Sequence, residues 1–419
     1  MKNHPGSDDD SRAPPVVEAA TAQPTEPVGQ AVAVVDPGQD ARANCQDLAK
    51  GRNILDAFAR DLTRTGFAGE ERAAKLLYLV LTSRLLDRPV SVAVKGPSSA
   101  GKSYLVQQVL RFFPEHAYYA LTAMSERALA YSQEPLVHRF LVIYEAEGLQ
   151  GGIASYLLRS LLTEGRLRYV TVEGTPEGPR EKVIEREGPT GLITTTTAIR
   201  LHPENETRLF SIPVTDTPEQ TRRILLAQAE DPDETLDLTS WHKLQVCLEA
   251  GDRRVTIPFG HALADAIPPV DVRLRRDIPA VLNLIKAHAL LHQWARERDD
   301  RGRVIATLRD YEAVRELVAD LLAEGLERAV SSTIRETVDV VKQVLDAGAS
   351  DVSVLAVADV LGIDKSSASR RVRQAITSGY LRNLQEGHGR QCRLVLGAPL
   401  PEDIEILPRA ETLSGCTVA

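Results

Sequence analysis

The feature that most constrains this chain is a glycine-rich loop of eight residues, Gly96-Pro97-Ser98-Ser99-Ala100-Gly101-Lys102-Ser103. The spacing G-x-x-x-x-G-K-S permits a tight turn whose backbone N–H groups point inward, and a helix that starts at the loop adds its dipole. In such a loop the lysine reaches the β- and γ-phosphates of a nucleotide, and the serine hydroxyl ligates magnesium. We therefore predict that these eight residues bind ATP or GTP, with Ser103 as a ligand of Mg²⁺.

The segments around this loop alternate between short apolar runs and helical patterns. Apolar runs predict strands at Val90–Val94, Phe140–Tyr144 and Gly191–Thr196, and a helix from Tyr104 to Phe113 follows the loop. A helical lead-in precedes the first strand, from Cys45 to Leu86. Strands that alternate with helices predict an α/β fold, a parallel sheet with helices on both faces.

Composition excludes several classes of protein. A length of 419 residues predicts two or three domains, and a net charge of -8 excludes a basic coat for nucleic acid, so any DNA contact must come from local patches. The four cysteines lie far apart and show no zinc spacing, which is typical of reduced thiols. There is no apolar run of membrane-spanning length, and the N-terminus is acidic and polar. These observations favour a cytoplasmic protein.

Changes in composition and pattern divide the chain into five segments. We predict a disordered tail at 1–44, a nucleotide-binding core with its helical lead-in at 45–216, a helical lid at 217–332, a small separate domain at 333–397 and a flexible tail at 398–419.

Acidic residues follow the second predicted strand. A nucleotide hydrolase needs a carboxylate near magnesium and another that orients the attacking water. Glu145 is the candidate for the water-orienting base and a second candidate for contact with magnesium, and Glu147 is a weaker one. Tyr144 stands where the usual pattern has Asp. The alternative is a strand capped by solvated acids.

A predicted β-hairpin lies between this strand and the third one. Its strands cover 166–173 and 180–186, with a turn at 174–179. Arg166, Arg168 and Lys182 are candidates for contact with a nucleic-acid backbone. The neighbouring glutamates offset these charges, so the residues alone favour a solvated hairpin.

Three further polar groups are candidates for the nucleotide site. Thr196, in the run Thr194–Thr197 at the end of the third strand, is placed to sense the γ-phosphate or hold the attacking water. Arg208 lies in a loop between elements, where an arginine can reach the nucleotide of a neighbouring subunit. Arg276, with Arg273 and Arg275 as alternatives, opens a helix from which it could reach the phosphates.

The order of these features resembles the AAA+ ATPases, and within them the minichromosome-maintenance (MCM) helicases. The resemblance covers roughly residues 65–295 and includes the hairpin before the sensor strand, the segment Thr207-Arg208-Leu209-Phe210 before a strand with Asp216, and the lid arginine, for which Arg276 fits best. It implies ATP and Mg²⁺ as cofactors, a hexameric ring and translocation on DNA. The chain is similar to a compact bacterial or mobile-element member. It departs from the family pattern at Tyr144, at the sensor threonine and in the extra residue before Phe210.

The C-terminal segment resembles a winged helix-turn-helix. Helices are predicted at 333–345, 353–361 and 365–376, with a hairpin after them. The third helix would enter the major groove of DNA. The candidate DNA-binding residues here are Lys365, Ser367, Arg370, Arg371, Arg373 and, in the hairpin, Arg390. The alternative is a winged helix used for protein contacts.

Three functions fit this sequence. The first is a DNA-dependent ATPase that acts as a helicase or replication-initiation motor. The second is an AAA+ regulator of transcription or transposition, which predicts sequence-specific DNA binding and a partner protein. The third is a DNA-binding protein gated by nucleotide that it does not hydrolyse, an alternative that the Tyr144 departure leaves open.

Overall fold

The computed structural model of this protein describes residues 46–49, 51, 53–145, 152–176, 178–197, 208–230, 236–385, 392–400 and 405–413. The strands are β1 (Val92–Lys95), β2 (Tyr118–Leu121), β3 (Arg139–Ile143), β4 (Arg166–Thr175), β5 (Gly178–Glu187), β6 (Thr190–Thr196), β7 (Phe210–Pro213), β8 (Val255–Thr256), β9 (Val304–Ile305), β10 (Leu381–Asn383) and β11 (Leu394–Leu396). The α-helices are α1 (Gln46–Ala49), α2 (Ile54–Arg64), α3 (Glu71–Thr82), α4 (Lys102–Leu110), α5 (Ala128–Tyr131), α6 (Gly152–Glu164), α7 (Pro218–Ala229), α8 (Thr239–Ala250), α9 (Gly260–Ala266), α10 (Leu274–Leu291), α11 (Leu308–Ala329), α12 (Ser332–Asp346), α13 (Val354–Leu361), α14 (Lys365–Thr377) and α15 (Ala410–Leu413).

The centre of the fold is a five-stranded sheet in the order β2-β3-β6-β1-β7, in which every pairing is parallel. Strand β6 lies between the strand before the glycine-rich loop and the strand before the acidic residues. The carboxyl ends of β1, β3 and β6 therefore meet at one edge, which brings three predicted site segments together. The predicted α/β class with a parallel sheet is confirmed.

The sheet separates two hydrophobic cores, because successive side chains of a strand point to opposite faces. Val92 and Val94 join the larger core, whereas Ala93 joins the smaller one. The larger core combines α2, α3, α4, α8, α10 and α11 with the sheet. The smaller core combines α5, α6 and the root of the β4–β5 hairpin. The helical lead-in, the sheet and most of the segment predicted as a lid thus share one core.

The predicted flexible tail at 398–419 is wrong for residues 405–413. Ile406, Leu407 and Leu413 are buried, and the last two belong to the larger core. The Tyr311 hydroxyl of α11 donates to the Pro408 carbonyl at 2.5 Å, and Arg315 Nε donates to the Leu407 carbonyl at 3.0 Å. These contacts dock the segment on α11, which its composition alone does not reveal. The predicted tail at 1–44 lies outside the described residues.

Helices α12, α13 and α14 and the antiparallel pair β10–β11 form a unit with its own hydrophobic core. An isolated bridge joins Val352, before α13, to Leu394 of β11. Ser353 and Asp364 cap the N-termini of α13 and α14 through their side chains, and Gly362 ends α13 in the left-handed conformation. This is the element order expected at 333–397. None of the helices that the structure describes combines the length and apolar character needed to cross a bilayer.

Candidate nucleotide-binding site

The glycine-rich loop joins β1 to α4 and ends at the helix N-terminus. Gly101 has φ +83°, which a residue with a side chain rarely adopts, and Ser99 has φ +67°. A Cβ at Gly96 would lie 2.9 Å from the Val214 carbonyl oxygen, so the close approach of the residue after β7 also requires glycine there. The two glycines thus serve backbone geometry, as the motif predicts.

Lys102 is buried at the start of α4, and its Nζ donates to the Pro97 carbonyl at 2.6 Å. Desolvation lowers the pKa of Lys102 below its usual value, and the nearby Glu145 carboxylate acts in the opposite direction. The lysine and the glutamate predicted for one site therefore lie close enough to interact.

A cleft of about 380 Å³ opens above the loop. Its lining combines the loop with the ends of β3 and β6: Ser98, Ser99, Gly101, Lys102, Ser103, Tyr104, Glu145, Thr195, Thr196 and Thr197. Ser103, Glu145 and Thr196, which were predicted from separate parts of the sequence, thus share one cleft. Of the described residues that line it, Glu145 carries the one carboxylate. Glu147 lies outside the described residues.

Glu145 is the second residue after β3 and has φ +64°, and its backbone N–H donates to Thr195 Oγ1 at 3.0 Å. A non-glycine residue pays roughly 1–3 kcal/mol for this conformation. Tyr144, at the position where Asp was expected, is half-buried and hydrogen-bonds Gln107 of α4. Burial raises the pKa of the Tyr144 hydroxyl, and Gln107 lowers it. The tyrosine therefore braces the helix after the loop, while the carboxylate next to it lines the cleft.

The threonines of β6 divide between structure and cleft. Thr194 Oγ1 donates to the Ile143 carbonyl at 2.9 Å and joins β6 to β3. Thr195 receives the Glu145 N–H, and Thr196 is buried while lining the cleft. Sequence reasoning missed the role of Thr195 in holding Glu145.

Tyr104 is a second residue that sequence reasoning missed. It lies two positions after Lys102, is 47% exposed and lines the cleft. Its ring stacks on Phe67 of the lead-in, with ring centroids 6.1 Å apart and planes inclined by 15°. Its position next to the motif was a usable signal, but the stack with Phe67 depends on the fold.

Arg208 lies near the amino ends of the strands, at the opposite end of the sheet from the cleft. It precedes β7, whose first residue, Phe210, pairs with Val92 at the start of β1. The phosphate loop follows the other end of β1, about 13 Å away for a strand of this length. Arg208 Nε donates to Thr163 Oγ1 of α6 at 3.1 Å. The expected strand with Asp216 is β7, which ends at Pro213, so Asp216 lies beyond it.

Arg276 lies near Arg208 and does not line the cleft of its own chain. Burial lowers the pKa of Arg208, and the positive charges of Arg276 and Arg159 lower it further. Because Arg276 does not line this cleft, the expectation that it reaches phosphates from the helical lid stays a prediction. Three arginines instead form a group at the edge away from the loop.

The hairpin bases lie on two faces and meet glutamates across the strands. Arg168 forms an ion pair with Glu185 at 3.3 Å, and Lys182 forms one with Glu173 at 3.0 Å. Arg166 stands opposite Glu187 in the register. The hairpin exists as predicted, and its charge is largely balanced.

The bases of α14 are less compensated. Lys365, Arg370 and Arg373 are exposed, and Ser367 is half-buried near the helix start. Arg371 is tied to Glu336 of α12 at 2.9 Å. Arg390 lies outside the described residues.

The parallel sheet, the loop geometry and the shared cleft are those of an α/β fold with a P-loop. No protein-family model and no curated protein matches the chain. Among solved structures it is similar to a full-length MCM homologue from Methanopyrus kandleri, with 17% identity, a TM-score of 0.45 and coverage of 69% of this chain and 62% of that one. It is also similar to the Aeropyrum pernix ORC1 protein, solved in complex with DNA, with 14% identity, a TM-score of 0.27 and coverage of 83% and 93%. The chain thus spans about 62% of the Methanopyrus protein. Both likenesses are weak, and the class rests on this chain's own sheet and loop.

Proposed function

We propose that this protein is a DNA-dependent AAA+ ATPase that works as a ring, most simply a hexamer, in the manner of a DNA helicase or replication-initiation motor. The observation that carries this proposal is the separation of two complementary half-sites. The phosphate loop and Glu145 lie at one edge of the sheet, and the group formed by Arg208, Arg276 and Arg159 lies at the other. Repeated contact between unlike surfaces of identical subunits closes a ring when the rotation between neighbours is a whole fraction of a turn.

The residues of the cleft divide the work of hydrolysis. Lys102 and the loop N–H groups hold the phosphates of ATP, and Glu145 orients the attacking water. The Thr195 hydroxyl fixes Glu145 by accepting the backbone N–H of that residue. Thr196 contacts the γ-phosphate or the water. The oxygen donors Ser103 and Glu145 suit Mg²⁺, which prefers such ligands. Mg²⁺ would neutralise phosphate charge when bound; Ser103 would hold it, and Glu145 lies within the same cleft.

Arg208 and Arg276 act on the nucleotide of the adjacent subunit in this proposal. Arginines at that position stabilise charge that develops on the transferred phosphoryl group. Neither lines the cleft of its own chain. A lone monomer would therefore hydrolyse ATP slowly.

DNA contact falls mainly to the C-terminal unit, which we propose is a winged helix. Its α14 presents Lys365, Arg370 and Arg373 to solvent without the cross-strand glutamates that balance the hairpin. Ser367 and Arg371 would support the helix or its phosphate contacts. A protein with this activity would work in the cytoplasm, where its free cysteines stay reduced.

The test is the rate of ATP hydrolysis with and without single-stranded and forked DNA, beside a Lys102→Ala control. Strong stimulation by DNA that is lost in the control supports a motor and justifies an unwinding assay. Slow hydrolysis that ignores DNA contradicts it.

A second candidate is an AAA+ regulator that switches its assembly or DNA binding with nucleotide. Two observations favour it: Tyr144 replaces the second carboxylate expected near magnesium, and the hairpin bases are paired with glutamates. This candidate predicts sequence-specific DNA binding through α14, with ATP turnover that DNA does not stimulate. A form that binds ATP without any turnover is its limiting case.

A further inference from the structure

A second cleft, of about 590 Å³, lies at the amino edge of the sheet. One wall is the segment Leu85–Arg88 before β1, and another is α10, at Pro279, Leu282, Asn283 and Lys286. Arg253 and Arg254 before β8 and Arg303 before β9 complete it. Asn283 Nδ2 donates to the Arg88 carbonyl at 3.0 Å and holds the first two walls together.

This cleft shares no lining residue with the nucleotide cleft. Its floor includes His138, which directly precedes β3, whereas the nucleotide cleft lies beyond the other end of that strand. His138 Nδ1 is 2.7 Å from the Arg84 carbonyl, to which it donates, so the ring is fixed in the wall. The two clefts are separate sites on opposite edges.

The cleft has an excess of uncompensated positive charge. Within the described part of the chain, Arg88 and Lys286 make no ion pair, and Arg253 donates to a backbone carbonyl, that of Glu249, at 2.9 Å. Arg254 and Arg303 are paired with Asp252 and Asp299, each at 2.6 Å. Asp87 is the one carboxylate among the described lining residues, against three unpaired cations.

The rest of the lining indicates which anion fits. No Phe, Tyr or Trp is among the described residues that line the cleft, and its one aromatic ring, that of His138, is held in the wall by the Arg84 carbonyl, so the cleft lacks the large stacking surface that binds bases. Arginine and lysine instead match phosphate oxygens, with arginine offering paired N–H donors. The chain as a whole has a net charge of -8, so it does not attract anions in general. The local excess of positive charge makes this cleft a place where an anion can bind.

We propose that this cleft binds phosphate groups through Arg88, Arg253 and Lys286, and that their source is the backbone of DNA. The choice of DNA as the source of the phosphates rests on the proposed function. The inference that the cleft binds phosphate rests on its lining alone. The cleft would then add sequence-independent contacts to those of α14. A small phosphate compound is the alternative source of the same chemistry.

The first arm of the test measures DNA affinity of the full chain at several salt concentrations. Arg88→Ala with Lys286→Ala is compared with wild type and with the matched double variant Arg222→Ala, Lys243→Ala, which removes two cations that form no ion pair among the described residues. Each lost phosphate contact reduces the salt slope of binding to duplex DNA by about 0.9, so the cleft variant should lose about 1.8 and the control nothing. Equal melting temperatures show that both variants fold.

The second arm measures binding of inorganic pyrophosphate by calorimetry in a Lys102→Ala background, which removes the lysine contact of the glycine-rich loop and so weakens competing binding there. If the salt slope is unchanged but pyrophosphate binding weakens tenfold or more when Arg88 and Lys286 are replaced, phosphate chemistry is supported and the source is small. If wild type does not bind DNA, the proposed function fails and this arm alone decides the cleft. If neither measurement distinguishes the cleft variant from its control, the proposal is overturned.

Discussion

Glu145 is the residue whose backbone most clearly serves the cleft. Its left-handed conformation turns the chain at the end of β3, and the hydrogen bond to Thr195 fixes that turn. Such strained positions persist where neighbouring contacts hold them, and they occur often at functional sites.

Replacing Glu145 with Gln keeps the side-chain shape and removes the negative charge. We expect ATP hydrolysis to fall roughly 10²- to 10⁴-fold, because a positioned base contributes about that much, while ATP affinity stays near wild type. Phosphate release and binding of a fluorescent ATP analogue measure the two effects. Glu181→Gln on the exposed hairpin is the matched control, and undiminished hydrolysis in Glu145→Gln would exclude this role.

A buried pair of histidines gives the fold a pH dependence. The His288 and His292 rings have centroids 4.4 Å apart and planes inclined by 31°, and Asp310 binds both His288 Nδ1, at 2.7 Å, and Arg296. Burial, with the charge of His288, lowers the pKa of His292 to about 4. Arg296 already places a positive charge beside Asp310. A metal cation between Asp310 and the two histidines would therefore be repelled.

His292 should make the protein less stable in acid. Below its ordinary pKa the unfolded chain binds a proton that the folded chain refuses until about pH 4, so stability present above pH 6.5 falls between 6.5 and 4. The loss is at most about 3.4 kcal/mol. Urea unfolding at a series of pH values measures it, and His292→Gln should flatten this part of the profile. A variant with the same slope as wild type would show that other groups cause it.

Residue roles could be predicted where they depend on local spacing. The eight loop residues and Glu145 follow from the motif and from the strand before the acid. The contact of Thr195 with Glu145, the place of Tyr104 in the cleft and the nearness of Arg276 to Arg208 could not be predicted, since each depends on which segments the fold brings together.

At the scale of elements, the strands and helices with strong patterns were predicted within a few residues. The hairpin is an example: alternation and a turn cluster predict 166–173 and 180–186, and the strands run Arg166–Thr175 and Gly178–Glu187. The short strands β2, β8 and β9 were missed, because two to four residues carry too little pattern. Segment 405–413 was misjudged because its burial depends on α11.

The docking of that segment on α11 should stabilise the fold. Leu407 is 1% exposed, so Leu407→Ala should cost about 2–5 kcal/mol through lost contacts and a cavity. Leu384→Ala, at a position 54% exposed, is the control and should change stability by less than about 0.5 kcal/mol. Denaturant unfolding compares the two, and equal stability would mean that the segment is not docked in solution.

At the scale of the whole molecule, the two half-sites make subunit mixing informative. Lys102→Ala should disable the loop of its own chain, and Arg208→Ala should disable the site of its neighbour. Each variant alone should hydrolyse ATP poorly, but an equal mixture should recover part of the wild-type rate, because some interfaces then pair an intact loop with an intact arginine.

Steady-state hydrolysis of the mixture against each parent measures this recovery. Two mixed preparations of the same variant provide the control for mixing itself. A mixture no faster than its parents would place Arg208 in its own chain's site, or outside catalysis.

The unequal cores on the two faces of the sheet also have a consequence in time. Helix α4, which begins at the phosphate loop, belongs to the larger core, whereas α6 and the hairpin root belong to the smaller one. Regions with fewer buried contacts open at lower free energy, so the amide hydrogens of α6 should exchange with solvent sooner than those of α10. The helix at the nucleotide cleft would then lie in the part of the molecule whose amide hydrogens exchange slowly. The hairpin and Thr163, which binds Arg208, would lie in the part whose amide hydrogens exchange quickly.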